Sequence, residues 1–236
     1  MDGGRAAPPS VPGLEVIRLL GRGQMADVHL AREPDLGRLV ALKVLRPDAS
    51  SADPAARARF EREARALASL SHPNVVQVHR FGHTEDGRPF LVMQYVKGRS
   101  VAERLDAGGP LRPEEAREVL TAVAEALESA HQHGIIHRDV RPANVLLEEE
   151  TGHVLLTDFG IAREMASGEG DPRRLTATGQ VVGDPRFRSP EELRGEELTE
   201  QVDVYGLGVL GYELLTGRGP YGDASGPTLA VAHLEG

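Results

Sequence analysis

One stretch constrains this chain more than any other. It begins Ile136-His137-Arg138-Asp139-Val140-Arg141-Pro142-Ala143-Asn144 and continues through an apolar run, Val145 to Leu147. A polar tip, Glu148 to Gly152, leads to a second apolar run, Val154 to Leu156, and then to Asp158-Phe159-Gly160. Two short apolar runs joined by an acidic tip predict a β-hairpin. A hairpin returns the chain to where it began, so Asn144 and Asp158 emerge on the same side. Asp139, Asn144 and Asp158 thus converge. One of them can accept a proton, and two can hold a hard cation through oxygen.

The bulk composition narrows the partners. The chain has 236 residues, room for one or two domains with a proper core. It carries 27 Lys and Arg against 36 Asp and Glu, a formal charge of -9. That balance argues against general nucleic-acid binding and against docking on an anionic membrane. The absence of cysteine excludes disulfides, thiolate metal sites and cysteine nucleophiles, and fits a cytoplasmic location. Residues 1–13 are small and proline-rich, without an apolar signal core, and read as a disordered lead-in. No run approaches the roughly 20 apolar residues of a membrane helix, so no membrane segment is expected within this chain. An anchor beyond residue 236 in a longer parent stays open. The most apolar region, Val204 to Leu215, is apolar nearly all round and predicts a buried helix.

Before the central stretch, Leu14 to Leu20 reads as a strand entering Gly21-Arg22-Gly23-Gln24-Met25-Ala26. Asp27 to Ala31 and Leu39 to Leu45 read as further strands around a turn at Pro34-Asp35-Leu36-Gly37. A glycine-rich turn between antiparallel strands lets backbone N–H groups approach a phosphate, though ordinary hairpins share the pattern. A dinucleotide fingerprint is excluded because a strand, not a helix, follows the glycines. Lys43 interrupts the apolar run Val40 to Leu45 and shares a face with Ala41. The bland reading is an edge-strand lysine with its head in water.

Pro54 to Leu70 has a helical apolar stripe of Phe60, Ala64, Leu67 and Ala68, with Glu63 one position off it. By spacing alone Glu63 reads as a solvated carboxylate beside Arg59, four residues earlier. Val75 to Phe81 and Phe90 to Val96 are strands. Gly98 then breaks the pattern, and the boundary between a first lobe, 14–96, and a second, 97–236, is placed there. Ser100 to Leu105 is a short helix, and Pro113 to His133 a long one stopped by Gly134. His131 and His133, two apart, do not share a helix face and do not suggest a metal site. A polar segment with Thr176 and Thr178 follows Gly160, and Ser189-Pro190-Glu191 and Asp203-Val204-Tyr205-Gly206-Leu207-Gly208 close the pattern.

Taken in order, Gly21-x-Gly23, Val40-Ala41-Leu42-Lys43, Glu63, His137-Arg138-Asp139, Asn144, Asp158-Phe159-Gly160, Ser189-Pro190-Glu191 and the Asp203 motif resemble a protein kinase domain. The wording is similar to that of bacterial, eukaryotic-like serine/threonine protein kinases, and the resemblance covers residue 14 to the end. It implies an α+β, bilobal fold: an N-terminal antiparallel five-stranded sheet with one main helix, then a mostly helical lobe lacking its last helices. It implies ATP with Mg²⁺, or Mn²⁺ in its place, and protein substrates with Ser or Thr hydroxyls. Leu20, Gly21, Arg22, Gly23, Gln24, Met25, Ala26 and Val28 would cover the nucleotide. Val28, Ala41 and Leu146 would sandwich adenine, with Met93 as gatekeeper and Gln94 to Val96 as hinge. Lys43, held by Glu63, would hold the α- and β-phosphates. Asn144 and Asp158 would bind the metal, and Asp139 would orient and deprotonate the acceptor hydroxyl. Leu67, Phe159 and His137 would stack. Thr176 and Thr178 would be autophosphorylation sites whose phosphate pairs with Arg138, with a homodimer serving transfer in trans.

Four departures accompany the resemblance. Ala26 stands for a third glycine, Arg141 for the usual lysine, and Asp184 for a threonine. A planar guanidinium is not a point charge, and a carboxylate at 184 would oppose Asp139. The two changes are expected to be linked, Arg141 pairing with Asp184 and withdrawing in part from the phosphate. The fourth departure is length, which leaves out the family's last two helices and the arginine that pairs with the counterpart of Glu191. Residues 1–236 alone are therefore expected to melt early. The main alternative function is a pseudokinase-type nucleotide-binding or scaffold module. A small-molecule phosphotransferase would lack the Ser189-Pro190-Glu191 pattern.

Overall fold

The structure is a computed structural model that describes residues 9–23, 25–46, 54–160, 184–222 and 226–235. It divides into two compact units, one holding residues 9–69 and 77–95 and the other 70–76, 96–160 and the described residues from 184 onward.

The first unit is a five-stranded antiparallel sheet in the order β1-β2-β3-β5-β4. Its strands are β1 (Glu15–Arg22), β2 (Ala26–Glu33), β3 (Arg38–Leu45), β4 (Val78–His83) and β5 (Pro89–Gln94), with helix α1 (Pro54–Ser69) between β3 and β4. Side chains alternate between the two faces of a strand, so one register fixes which residues share a face. Opposite one another in β3 and β5 stand Val40 and Gln94, Leu42 and Val92, and Val44 and Phe90. The apolar members of these pairs join Val11 and Ala31 in one buried cluster, with Leu14 and Val16 packed on it. The alternate positions put Val28 and Leu91 opposite Lys43, and Leu30 and Met93 opposite Ala41. Lys43 therefore points to the face away from that cluster. Helix α1 buries Ala56, Phe60, Ala64 and Leu67. Phe60 meets Phe81 edge-on at 6.4 Å, which fastens α1 to β4.

Residues 70–76 belong to the second unit because their hydrogen bonds go to its hairpin. Asn74 donates its side-chain amide to Val154 O at 2.8 Å, Leu156 N donates to Asn74 O, and Val76 N donates to Leu156 O. The strand expected from Val75 accordingly starts only at Val78.

The second unit carries a three-stranded sheet in the order β6-β7-β8, made of β6 (Gly98–Ser100), β7 (Val145–Glu148) and β8 (Val154–Leu156). Strand β6 is a difference from the sequence reading, which made Gly98 only a break. Its three residues pair with Leu146 to Glu148, a contact 46 or more positions distant that no local pattern announces. Helices α2 (Val101–Gly108) and α3 (Pro113–Gln132) follow β6, and α4 (Pro190–Arg194), α5 (Gln201–Thr216) and α6 (Gly226–Glu235) come later. Helix α3 lies against α5 and β8. It turns Ala116, Val119, Val123, Ala126, Leu127 and Ala130 inward.

Helix α5 corrects an expectation. Its composition predicts burial all round, yet Val204, Tyr212 and Leu215 are exposed at 54%, 40% and 48%. The described elements cover only the side bearing Val202, Asp203, Gly206, Val209, Leu210 and Leu214. Composition measures what a helix can bury, and the neighbours available decide how much of it is buried. Among the described residues, no helix is long and apolar enough to cross a membrane.

Candidate active site

The expected site residues fall into two sets. In the first unit, the β1–β2 connection forms the glycine-rich turn. Gly21 stands opposite Val28 and Arg22 opposite Asp27, and the tip is closed by Gly23 N donating to Ala26 O at 2.8 Å. Met25 O accepts from Arg46 N at 2.8 Å, tying the tip to the end of β3. Ala26 is a buried strand residue opposite Leu45, so the position of the third glycine is structural here. Gln24 lies outside the described residues. Leu20 lies on β1, Lys43 and Ala41 on β3, Met93 and Gln94 on β5, and Glu63 on α1. Gln94 donates its N–H to Gln77 O at 2.9 Å.

In the second unit, the segment before Asn144 is organised by one buried carboxylate. Asp203, on the first turn of α5, is 1% exposed. Its two oxygens accept from His137 N at 2.8 Å and Arg138 N at 2.7 Å. His131, on α3, adds its Nε2 at 2.8 Å. These bonds hold Arg138 at φ 62°, a left-handed conformation that a non-glycine residue seldom adopts. Asp139 follows directly, so the strained residue sets the direction in which the next side chain leaves the backbone. Helix α5 approaches closely: a Cβ on Gly206 would lie 3.0 Å from Val140 Cβ and 3.3 Å from Val140 O.

His137 is fully buried. Its Nδ1 faces Asp139 N at 3.2 Å and must accept, since an amide N–H can only donate. The proton is therefore on Nε2, which reaches Thr157 O at 2.9 Å. The ring stacks on Phe159 with centroids 4.4 Å apart. Burial pushes His137 below the ordinary imidazole value, and the nearby carboxylates Asp203, Asp139 and Asp158 only partly oppose this. His233, His29, His79 and His83 are lowered by burial too. A folded value below the unfolded one means that the unfolded chain takes up protons first as pH falls. The melting temperature is thus expected to be level above about pH 6.5 and to drop as pH falls toward 5. Scanning calorimetry from pH 8 to 5 checks this, and a flat profile contradicts it.

The hairpin expected from the sequence is present. Val145 stands opposite Leu156, and the next pair outward is linked by Thr157 N donating to Asn144 O at 2.9 Å. Asn144 and Asp158 therefore emerge at the same end. Gly160 N donates to His137 O at 2.9 Å, closing the segment after Asp158 back on the first loop. Asp158 also has a positive φ, 64°. Asn144 is 5% exposed and sits at the end of a 3-10 turn, Pro142–Asn144. Its Nδ2 donates to Asp139 O at 2.8 Å and to Asp139 Oδ2 at 2.9 Å. Both donations fix which way the amide faces and turn Oδ1 away from Asp139. An amide oxygen and a carboxylate on one hairpin end are the hard donors that Mg²⁺ takes, so these residues fit the ion. Leu146 lies on β7 and Val96 just before β6.

The two departures from the family pattern meet. Arg141 places Nη1 3.4 Å from Asp184 Oδ2 and Nε 3.7 Å from Asp139 Oδ2. Asp184 is held more closely by Arg186, whose Nη2 lies 2.7 Å from the same oxygen. Burial would raise the Asp184 carboxyl, but the Arg186 hydrogen bonds and the charges of Arg186 and Arg141 hold it below the usual carboxylate range. Sequence reasoning did not single out Arg186 and weighed His131 only as a metal ligand, since neither belongs to a motif. Their partners are 2 and 72 positions away, and only the second is invisible to local pattern. Thr176 and Thr178 lie outside the described residues.

Comparison with known proteins identifies the family. The family model described as the protein kinase domain matches residues 14–235. The serine/threonine-protein kinase PrkC of Bacillus subtilis is 40% identical over 221 residues, covering 94% of this chain and 33% of PrkC. The chain thus spans about a third of the length of that curated relative. The crystal structure of the Mycobacterium tuberculosis PknI kinase domain superposes with a TM-score of 0.72 at 32% identity, covering 94% of this chain and 82% of that one. Rad53 1-466, solved in complex with AMP-PNP, gives a TM-score of 0.74 at 27% identity over 93% of this chain and 52% of that one. A family match along nearly the whole chain means that this chain, which is similar to bacterial serine/threonine-protein kinases, belongs to the protein kinase domain family.

Proposed function

We propose that the chain transfers the γ-phosphoryl group of ATP to Ser or Thr hydroxyls of proteins, including its own Thr176 and Thr178. The observation that carries this reading is the Asn144 clamp on Asp139, 2.9 Å from Nδ2 to Oδ2, at the same hairpin end as Asp158. As a carboxylate, Asp139 accepts the proton of the attacking hydroxyl. The new bond forms between that oxygen and the γ-phosphorus, and the bond from the β–γ bridging oxygen to the γ-phosphorus breaks. Asn144 prevents Asp139 from swinging, while the neutral His137 fixes the backbone on which Asp139 sits. Asn144 and Asp158 would hold Mg²⁺, which when bound would supply positive charge to the phosphate oxygens. Lys43, with Glu63, holds the α- and β-phosphates, and Val28, Ala41 and Leu146 take the adenine. Proteins with Ser or Thr are the substrates, a second copy serves transfer in trans, and the site of action is the cytoplasm.

The test uses labelled ATP with Mg²⁺ and follows phosphate on Thr176 and Thr178. Asp139→Asn keeps size and hydrogen bonding but cannot accept the proton, so transfer is expected to fall by about a thousandfold with the melting temperature unchanged. A nucleotide-induced rise in melting temperature without Asp139-dependent transfer would instead select a binding module.

A further inference from the structure

The transfer chemistry leaves one charged group unexplained: Arg186, on the 3-10 turn Pro185–Phe187. Its backbone N–H donates to Asp184 Oδ1 at 3.1 Å. Its Nε lies 3.1 and 3.2 Å from the two oxygens of Asp184, and its Nη2 lies 2.7 Å from Oδ2. This is a forked grip on a carboxylate that is itself mostly buried, at 15% exposure. Arg141 reaches the same Oδ2 only at 3.4 Å. Its Nε is buried, makes no hydrogen bond to any described residue, and stands 3.7 Å from Asp139 Oδ2. Asp184 is thus shared unequally by two arginines, and the looser of them is the one beside Asp139.

The inequality matters because a guanidinium and a carboxylate form a bidentate pair when nothing competes. With Arg186 removed, Arg141 is the remaining cation on Asp184 among the described residues. It would swing fully onto that carboxylate and away from Asp139. We propose that Arg186 is a positioning residue for the transfer: by occupying Asp184 it keeps the Arg141 guanidinium beside Asp139, with a donor left for an incoming phosphoryl oxygen. This rests on the kinase reading above. It also accounts for how the chain accommodates an arginine and an aspartate at two family positions that usually hold a lysine and a threonine. The third charge, on Arg186, neutralises the new carboxylate. The charges of Glu213 and Asp106 add to that of Asp184 in favouring the Arg186 cation. The plain alternative is a half-exposed pair, 52% for the Arg186 side chain, that only braces the turn.

A double-mutant cycle on the full chain separates the two. Transfer from ATP and Mg²⁺ to dephosphorylated casein is measured for the native chain, Arg186→Gln, Asp184→Asn, the double variant and Arg186→Lys. Arg186→Gln is expected to lower kcat by roughly tenfold, with KM for ATP changed less than about twofold and the melting temperature held. Adding Arg186→Gln to Asp184→Asn is expected to have little further effect, because no carboxylate then competes for Arg141. Arg186→Lys, which keeps the charge, is expected to recover part of kcat. Equal losses in both backgrounds, or a loss that follows the melting temperature, would overturn the proposal while leaving the kinase reading intact. Absence of Asp139-dependent transfer in the native chain would overturn both.

Discussion

Asp203→Ala is expected to lower the melting temperature by about 10 °C and to remove most transfer activity, although residue 203 is not expected to touch substrate. The carboxylate accepts from His137 N at 2.8 Å, Arg138 N at 2.7 Å and His131 Nε2 at 2.8 Å, and it is 1% exposed. Alanine leaves three donors without their acceptor in a site that water enters poorly. A hydrogen bond to a charged group contributes about 1.5–3 kcal/mol, and an unmet buried donor costs about 1–3 kcal/mol. Part of this is recovered when the loop relaxes, because Arg138 can then leave φ 62°. A net loss of about 4 kcal/mol corresponds to the expected drop for a chain of this length. The relaxation itself is what stops transfer, since Asp139 is the next residue. Asp203→Asn retains one acceptor oxygen and is expected to lie between native and alanine in both readouts. A melting temperature within 2 °C of native for the alanine variant would show that the loop does not depend on Asp203.

Gly98→Ala is expected to cost at least about 3 kcal/mol, more than a one-carbon change in an ordinary strand. An ideal Cβ at Gly98 would overlap Leu147 O and lie 2.9 Å from Leu147 C and 3.1 Å from Glu148 Cα. All three are backbone atoms, so no side-chain rotation relieves the overlap. Strand β6 must separate from β7. Ser100, which caps α2 through a reciprocal pair of bonds with Glu103, moves with it. The hydrogen bond from Glu149 N to Lys97 O, 2.8 Å, is lost on the other side. Leu146, opposite Ser100 and proposed to contact adenine, shifts as well. Nucleotide affinity is therefore expected to fall together with stability. Hydrogen exchange at β6 and β7 amides would report the separation directly, and unchanged protection there would refute it.

The legible parts of this protein were those where residue type and period agree. The run Val40 to Leu45 announced a strand with Lys43 and Ala41 on one face, as the register with β2 and β5 has it, but β3 is the middle strand of the sheet and not the edge strand of the bland reading. The hairpin from Val145 to Leu156 was readable because two short apolar runs flank an acidic tip. The linkage of Arg141 to Asp184 was expected from the resemblance, as two coupled departures from one family pattern, and the two side chains meet at 3.4 Å. Less readable was anything whose partner lies far along the chain. The three-residue strand β6 exists only because β7 offers it hydrogen bonds, and Val75 leaves its expected strand because Leu156 does the same. The exposed side of α5 misled the reading, since apolar composition states a tendency to be buried without naming a neighbour.

By itself, the order of residues determined which groups are available for chemistry: carboxylates at 139 and 158, an amide at 144, and an arginine and an aspartate at 141 and 184. Tertiary structure alone decided how Asp139 is aimed. That aim depends on a carboxylate 64 positions later, a histidine tautomer set by two backbone groups, and a choice by Asp184 between two arginines. Chemical identity is local to a residue, whereas direction and charge sharing are properties of distances that only packing creates.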